Sequence, residues 1–522
     1  MVKKFRHNEI HVATAENGNR NSPIPPFNAL SRRFPMTSDI GGASGGLSGT
    51  QLGAVSGAST LECRITAAGY HYRLGETELG PFTLQDHYDG ADFGATIAAK
   101  FNIEPDEVFR AYSRAIERPI SFSDVADALG STIRRDVATK LILFCGCLLV
   151  FTDEDQINIL MAGESSGGKT YNALEVAAYF EPLGDIVRKI ATASPTAFFH
   201  EQGEWDKKLQ VLRVNLRQKI LIFLDQPHYS LMERLRPLLS HDQRELLYKI
   251  TDKSKKGPMR TKNVVLEGFS TVILCGARLS LDEQERTRVL ILSPETSAEK
   301  LQESLRLAVA KVGDRQAFRE WVDSHPLRRW LRDRVEAIHV SNVKHVIVEN
   351  QEQIFERFIN SHKRLAPRHQ RDLPRILSLI KAHALLNLWS REKRGYGTIV
   401  ATQEDVDAGF GLYDLIAKPT ELGLSPQIYE VYETIIKPLL DNETVVDRRR
   451  ILSMYFEHYG RHLADETLRR EIVPALIDCG LVSEQPDPSD RRRKLLYPPD
   501  VPPISENGSN VAEDIVNNGE NK

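Results

Sequence analysis

Apolar and polar positions change their period several times along the chain, and each change marks an expected element. Residues 1 to about 60 have no apolar period and contain the Gly/Ser-rich run SDIGGASGGLSGTQLGAVSGAS. Such sequence buries too little surface to offset its ordering entropy, so a disordered tail or linker is expected. Residues 63–90 alternate in the manner of a small β-hairpin unit, and helical patterns follow over residues 91–101 and 104–116. The apolar stretch from Ile133 to Phe151 reads as a buried helix. The short run from Ile157 to Ala162 reads as a strand ending in glycine, with a helix-favouring segment beyond Thr170. Residues 185–191 read as a strand. Ser194 supplies an N-cap and Pro195 an N1 proline ahead of Thr196, the opening of another helix. Lys219-Ile-Leu-Ile-Phe-Leu-Asp225 is five apolar residues closed by an aspartate, the pattern of a strand buried in a parallel sheet.

Further on, residues 246–274 read as strand, basic loop and strand, with Val272 to Cys275 in the core. From Ala298 to Leu415 apolar positions recur at three- and four-residue spacing, as in Leu373, Ile376, Leu377, Ile380 and Ala384, which predicts helices. Pro419, Gly423 and Pro426 mark a boundary. Helical patterns then cover residues 428–440, 447–459 and 465–479, with Pro474 counting against a straight third helix. A hairpin with a basic, Pro/Asp-rich tip closes this part, LVSEQPDPSDRRRKLLYPP, and an acidic, Asn-rich tail expected to be disordered follows Pro503.

Composition narrows the picture only slightly. A length of 522 residues allows roughly two to four domains with a large core. A net charge of −3 gives no global pull towards nucleic acid or membrane, so any such affinity must be local. Cys63, Cys145, Cys147, Cys275 and Cys479 lack paired C-x-x-C spacing, which argues against a zinc site or a disulfide framework and fits a reducing interior. The apolar run Leu141–Phe151 is too short to cross a bilayer and no signal peptide precedes it, so a cytoplasmic location without membrane contact is expected. His71 and His87 stand alone and read as surface or core residues rather than ligands.

The strongest chemistry lies at Gly163-Glu164-Ser165-Ser166-Gly167-Gly168-Lys169-Thr170, the pattern G-x-x-x-x-G-K-[ST] between an expected strand and an expected helix. The glycines let the backbone curl until successive N–H groups face a polyphosphate. Lys169 reaches the β- and γ-phosphates, Thr170 offers its hydroxyl to Mg²⁺, and the helix adds its N-terminal dipole. ATP and Mg²⁺ are the expected cofactors. Asp225, at the end of its strand and beside this loop, can hold Mg²⁺ through the metal's water shell. Gln226 follows it; a glutamine orients water but accepts no proton, leaving Glu164 or Glu233 as carboxylates that could assist. Lys249, Lys253, Lys255, Lys256, Arg260 and Lys262 crowd the loop around Gly257-Pro258, as a contact for a nucleic-acid backbone or as an ordinary solvated turn.

Taken together, the phosphate loop, the Asp225 strand, the basic hairpin, the Cys275 strand and the segment Glu285-Arg-Thr-Arg288-Val-Leu-Ile resemble an AAA+ ATPase. More narrowly, they resemble the helicase-type modules of mobile-element primase–helicases and minichromosome-maintenance-type helicases. Residues 371–384 and 398–409 are similar to the helical lid of that group, and the likeness spans roughly residues 130 to 415. The resemblance implies an α/β fold: a P-loop AAA+ core (131–296), a helical lid (297–420), a small N-terminal α+β region (61–130) and a C-terminal domain (421–500) that looks like a winged helix. It implies that Arg288 enters a neighbouring subunit's site and that Arg371, on the lid, senses the same phosphate. Cys275 takes a place where the family has a polar residue, with Arg278 nearby. The hairpin over 249–262 would line a central pore and grip DNA. In the winged-helix reading, residues 467–477 form the recognition helix presenting Arg469 and Arg470, and Arg491, Arg492, Arg493 and Lys494 meet phosphates; docking of a protein is the other common use of such a domain.

The function expected is therefore an ATP-dependent DNA helicase or replication-initiation ATPase of a mobile element. Its partners would be DNA, further copies in a ring (a hexamer), and a primase or other replication protein in trans. The competing expectation is an ATP-switched DNA-binding regulator, a helicase loader, or a transposition or defence ATPase with little unwinding.

Overall fold

The computed structural model describes residues 60–83, 90–163, 166–194, 203–225, 227, 229–241, 243–252, 260–276, 283–362, 365, 367–443, 445–487, 489–490 and 493–499. The two expected tails lie outside these residues, as do Pro195 and Thr196 of the helix expected there. Packing divides the chain into two compact units, residues 1–64 with 68–113 and residues 65–67 with 114–522.

In the first unit, the alternating residues form β1 (Glu62–Thr66), β2 (Gly69–Leu74) and β3 (Thr77–Phe82), ordered β1-β2-β3. This is one strand more than a hairpin. Helices α1 (Gly90–Phe101) and α2 (Pro105–Glu117) follow. Tyr70 packs edge-on against Phe93 and Tyr112, with ring centroids 5.5 and 6.0 Å away.

The second unit begins with α3 (Phe122–Leu129), which carries a reciprocal capping box between Ser121 and Asp124. Helix α4 (Val137–Leu148) is buried nearly all round, as a helix apolar on every face must be. The nucleotide-site half of the unit runs β4 (Ile159–Met161), α5 (Lys169–Ala177), β5 (Val187–Ile190), β6 (Glu204–Asp206), β7 (Val211–Asn215), β8 (Ile220–Phe223), α6 (Tyr229–Ser240), β9 (Glu245–Asp252), β10 (Arg260–Glu267), β11 (Thr271–Cys275), α7 (Glu283–Arg286) and β12 (Leu290–Leu292). β4, β8, β11 and β12 are buried at every position, the signature of parallel strands covered on both faces.

Five of these strands form one parallel sheet in the order β12-β4-β11-β8-β5. Here the structure corrects the expectation that the Asp225 strand adjoins the phosphate-loop strand: β11 lies between β4 and β8. Sequence proximity does not set spatial order, and β11 is the strand that completes hydrogen bonding on both sides. The remaining strands form a second sheet, β6-β7-β10-β9, in which β9 and β10 are the expected hairpin. The apolar faces of both sheets share a core with Leu231, Met232 and Leu239 of α6. Burying each side chain of Leu or Phe size there contributes about 2 kcal/mol.

Helices dominate the following residues: α8 (Ala298–Gly313), α9 (Arg315–Ser324), α10 (Pro326–Ser341), α11 (Gln351–Ser361), α12 (His369–Leu386) and α13 (Gln403–Asp414), with a parallel pair of short strands, β13 (His345–Ile347) and β14 (Thr398–Val400). The period read over 373–384 faces inward as expected: Ile376, Ile380 and Ala384 are buried. A short helix, α14 (Ala417–Glu421), occupies the expected boundary.

The last part begins with α15 (Pro426–Val431), a π-helical turn over Tyr432–Ile436, and α16 (Lys437–Glu443). It continues through β15 (Val446–Asp447), α17 (Arg448–Tyr459), α18 (Asp465–Thr467), a second π-turn over Leu468–Ile472, α19 (Val473–Asp478), β16 (Ser483–Pro486) and β17 (Lys494–Tyr497). Each π-turn ends two residues before a proline, Pro438 and Pro474. Prolines lack the N–H that a regular helix needs, and widening the turn accommodates them. The hairpin β16–β17 gains β15 as a third strand.

One buried arginine ties α10 to its surroundings. Arg334, fully buried, donates to the carbonyls of Leu386 (2.6 Å), Arg118 (2.9 Å) and Ile116 and to Asn387 Oδ1 (3.2 Å), and its guanidinium lies 5.0 Å from the centre of the Trp389 ring. Asn387 in turn bonds both backbone groups of Ile120, at 2.8 and 2.9 Å. Arg334→Ala strands these carbonyls without donors. It should cost about 3 kcal/mol in urea unfolding, whereas substitution of the exposed Arg469 should change stability by about 0.5 kcal/mol or less.

Candidate nucleotide site

The phosphate loop leaves the C-terminal end of β4. Gly163 (φ 128°), Ser166 (φ 65°) and Gly168 (φ 90°) all take positive φ, which glycine tolerates and which curls the backbone towards one side. A methyl group built on Gly168 would meet nothing within 4 Å. Gly168 is also the N-cap of α5, and it has no side chain to occupy that helix's first-turn N–H groups. Glu164 and Ser165 lie outside the described residues. Lys169, buried, folds back so that Nζ donates to the carbonyl of Gly163 at 2.9 Å. The curl, the helix terminus and the folded-back lysine fit a polyphosphate.

Register fixes the rest of this edge. Cys275 pairs with Met161, and Leu274 pairs with Phe223. Asp225, two residues past Phe223 and exposed, therefore projects from the same edge as the loop. Two strand spacings, roughly 10 Å, separate the strands that carry them. Gln226 lies outside the described residues. Between them Cys275 is 2% exposed and its thiol bonds the Thr170 hydroxyl. Burial pushes that thiol up to about 11 against the opposing effects of Thr170 and Lys169. The Thr170 hydroxyl and the Asp225 carboxylate are hard oxygens, of the kind that suits Mg²⁺ together with phosphates. Among the described residues, no group of three or more His, Cys, Asp or Glu is gathered to hold a metal unaided.

The helix behind the loop is anchored by a residue the sequence did not single out. Asp136, buried and at φ 48°, accepts from Asn172 Nδ2 of α5 and from the N–H of Glu295, both at 2.6 Å, and pairs with Lys300 of α8. It joins α5 to the root of the following helices.

Arg288 stands at the opposite end of the sheet. It follows α7 and precedes β12, whose first residue, Leu290, pairs with Ile159, the first residue of β4. The loop leaves β4 from the other end, so Arg288 and its own phosphate loop lie at opposite edges. Arg371 is half-buried in the first turn of α12. Two further residues of that turn were not anticipated: buried Asp372 accepts from Arg368 (3.0 Å) and Arg375 (2.9 Å), and Arg375 also donates to the carbonyl of Thr287 at 2.6 Å. The helix is thereby fixed to the turn that carries Arg288. Their signal was present as alternating charge at i, i+3 and i+4, indistinguishable in sequence from a solvated face.

The basic residues are not one cluster. Lys253, Lys255 and Lys256 lie outside the described residues, as does Arg278, and Arg260 opens β10. Lys249 pairs with Asn263, whereas Lys262 pairs with Ile250. Adjacent pairs on a ladder alternate faces, and 250 to 262 is the next pair, so Lys249 and Lys262 point to opposite sides of the hairpin. In the C-terminal part, Arg469, Arg470, Arg493 and Lys494 are exposed, Arg491 and Arg492 lie outside the described residues, and Arg470 pairs with Glu466 at 2.9 Å. A groove of about 500 Å³ runs between α19 and the hairpin, lined by Arg448, Arg469, Pro474, Ile477, Glu484 and Lys494. Glu484 there binds Arg448 (3.0 Å) and Lys494 (2.6 Å). No described helix is long and apolar enough to cross a membrane.

No family model matches the chain, and no curated protein matches it. Among solved structures, it is similar to a full-length MCM homolog from Methanopyrus kandleri, with 14% identity and a TM-score of 0.34 over 59% of this chain and 62% of that one. It is also similar to SCCmec type IV Cch, described as an active helicase (11%, TM-score 0.30, 84% and 78%), and to the Aeropyrum pernix ORC1 protein in complex with DNA (15%, TM-score 0.21, 74% and 88%). The chain thus spans 62% of the Methanopyrus protein's length. Likenesses this low carry no functional argument.

A thiol raised to about 11 is almost wholly neutral at pH 8, and only the thiolate reacts quickly. Native protein treated with iodoacetamide at pH 8 should leave Cys275 unmodified by peptide mass spectrometry, while guanidinium-unfolded protein labels fully.

Proposed function

We propose that the chain is an AAA+-type ATPase that acts on DNA as a ring of several copies, a helicase or initiator-like motor of a mobile element. The observation that carries this reading is the shared sheet edge, where the phosphate loop, the Thr170 hydroxyl and the Asp225 carboxylate project together across β11. ATP supplies a transferable γ-phosphoryl group when bound, and Mg²⁺ offsets its charge. The protein's own part is placement. The loop N–H groups and α5 cradle phosphates, Lys169 exchanges the Gly163 carbonyl for a phosphate oxygen, and Thr170 and Asp225 hold the cation.

Arg288 supports a ring. At the far edge of the sheet from its own loop, it serves a nucleotide only if that nucleotide belongs to a neighbour, where it would offset charge on the γ-phosphate. The hairpin β9–β10, with Lys249, Lys253, Lys255, Lys256, Arg260 and Lys262, is read as a DNA contact inside the ring. The three helices and three-stranded sheet of the last part are read as a winged helix, with Arg469, Arg470 and Arg491 to Lys494 towards phosphates. Arg371 is read as a sensor of the bound phosphate.

Gln226 favours a second reading. Lacking a proton acceptor beside Asp225, the protein would bind ATP, turn over slowly and use nucleotide state to switch DNA binding.

DNA-stimulated ATP hydrolysis separates these readings, because the motor requires it and the switch does not. In either case Lys169→Ala should abolish ATP-dependent behaviour. Arg288→Ala should leave ATP binding intact and lower the hydrolysis rate by about 10³-fold; an unchanged rate would remove the inter-subunit role. Lys253, Lys255 and Lys256 replaced together by Ala should weaken DNA binding and lower the slope of affinity against salt by about 2 to 3 units on logarithmic axes. Unchanged affinity there would remove the hairpin contact.

A further inference from the structure

The phosphate loop has a neighbour from a distant part of the chain. Gln427 lies in the first turn of α15, just beyond Pro426 and the N-cap Ser425, whose side chain accepts from the N–H of Ile428. Its Oε1 faces the first glycine of the loop: a methyl group built on Gly163 would stand 3.2 Å from it. Gly163 is also the residue whose carbonyl holds Lys169 Nζ. One loop residue therefore carries the catalytic lysine and faces an amide from the C-terminal part.

That approach is enforced by the segment leading to it. Glu421 accepts from His362 Nε2 at 2.9 Å, a methyl group on Gly423 would stand 3.4 Å from Arg368 Nη1, and Cys479 Sγ donates to the carbonyl of Leu422 at 2.8 Å. Arg368 is held by Asp372, Asp372 also holds Arg375, and Arg375 grips the carbonyl of Thr287, next to Arg288. The segment is thus bonded to His362, which ends α11, and to Cys479, which ends α19, and at Gly423 it lies close to Arg368, whose partner Asp372 leads on to the Arg288 turn.

We propose that Gln427 is a positioning residue of the nucleotide site, contributed by the C-terminal part, and that it changes hydrogen-bond partner when a triphosphate enters. The inference rests on the reading of the loop as an ATP site. Lys169 cannot hold the Gly163 carbonyl and reach the β- and γ-phosphates together. When it leaves, a half-buried acceptor loses its donor, which is costly unless another arrives. A glutamine amide offers both donor and acceptor, and with Oε1 already facing Gly163, a change of partner would let Gln427 serve the vacated carbonyl or a phosphate oxygen. α15 then shifts with the amide, and the occupied site is felt along α12 and in the C-terminal helices.

The test compares wild-type full-length protein with Gln427→Met, which keeps length and packing without hydrogen bonds, and with Gln427→Ala. ATP and ADP affinities are measured with fluorescent analogues, and hydrogen exchange is followed in peptides covering residues 426–443. In the wild type, ATP should slow exchange in those peptides. In Gln427→Met and Gln427→Ala that protection should vanish, and ATP should bind about three- to tenfold more weakly, with KM raised, kcat retained and ADP less affected. Wild-type protection and affinity in Gln427→Met would overturn the inference alone. A wild-type chain that binds no ATP would overturn the reading of the loop and this inference with it.

Discussion

Parallel pairing of β4 with β11, and of β11 with β8, is the constraint from which the site follows. Parallel strands share a direction, so their C-terminal ends emerge at one edge and the residues that follow them meet there. Met161 and Cys275 stand level across one ladder, and Leu274 and Phe223 across the next. The phosphate loop and Asp225 consequently project side by side without either contacting the other through its own strand. The same geometry carries Arg288 away: it precedes β12, and whatever precedes a strand of this sheet stands at the other edge. One hydrogen-bonding pattern thus sets the loop and Arg288 at opposite ends of the sheet.

Buried charges keep the surrounding helices in register with that sheet. Burying a charge is expensive unless its hydrogen-bonding capacity is met, and each such group here is met by several partners. Asp136 takes bonds from Asn172, the Glu295 backbone and Lys300. Asp372 takes two arginines from its own helix, near the N-terminal end where a carboxylate is favoured by the helix dipole. Asp405 holds His383 at 2.6 Å and Arg391 at 2.7 Å while closing the capping box of α13 with Thr402. Removal of a partner leaves a buried charge less well compensated, so these groups favour one arrangement of α5, α8, α12 and α13. Asp136 touches α5, behind the loop, and Asp372 is linked through Arg375 to the turn that carries Arg288.

The fully buried strands and the inward positions of α12 were legible because their signal is local: a run of apolar residues, or a three-to-four period, holds wherever the element is placed. The glycine-rich turn before α5 was legible for a related reason. Its positive-φ glycines and the start of α5 are determined within one strand–loop–helix stretch. β6 and β7 left weaker marks, because they are short, partly exposed strands that exist by pairing with β10. The π-turns ahead of Pro438 and Pro474 could be suspected from the prolines, but not located. Lys249 and Lys262 looked like members of one cluster, since only the register of β9 on β10 puts them on opposite faces.

The sequence by itself determined the α/β character, the phosphate loop with Lys169 and Thr170, and a buried strand ending at Asp225, all of them set by neighbours a few residues away. Tertiary structure alone decided that β11 separates that strand from β4, that Arg288 lies at the far edge, and that Gln427 reaches Gly163 from a distant part of the chain. The reason is physical. Strand order and long-range contacts depend on which surfaces can be buried together and which backbone groups remain to be paired, and those are properties of the folded whole.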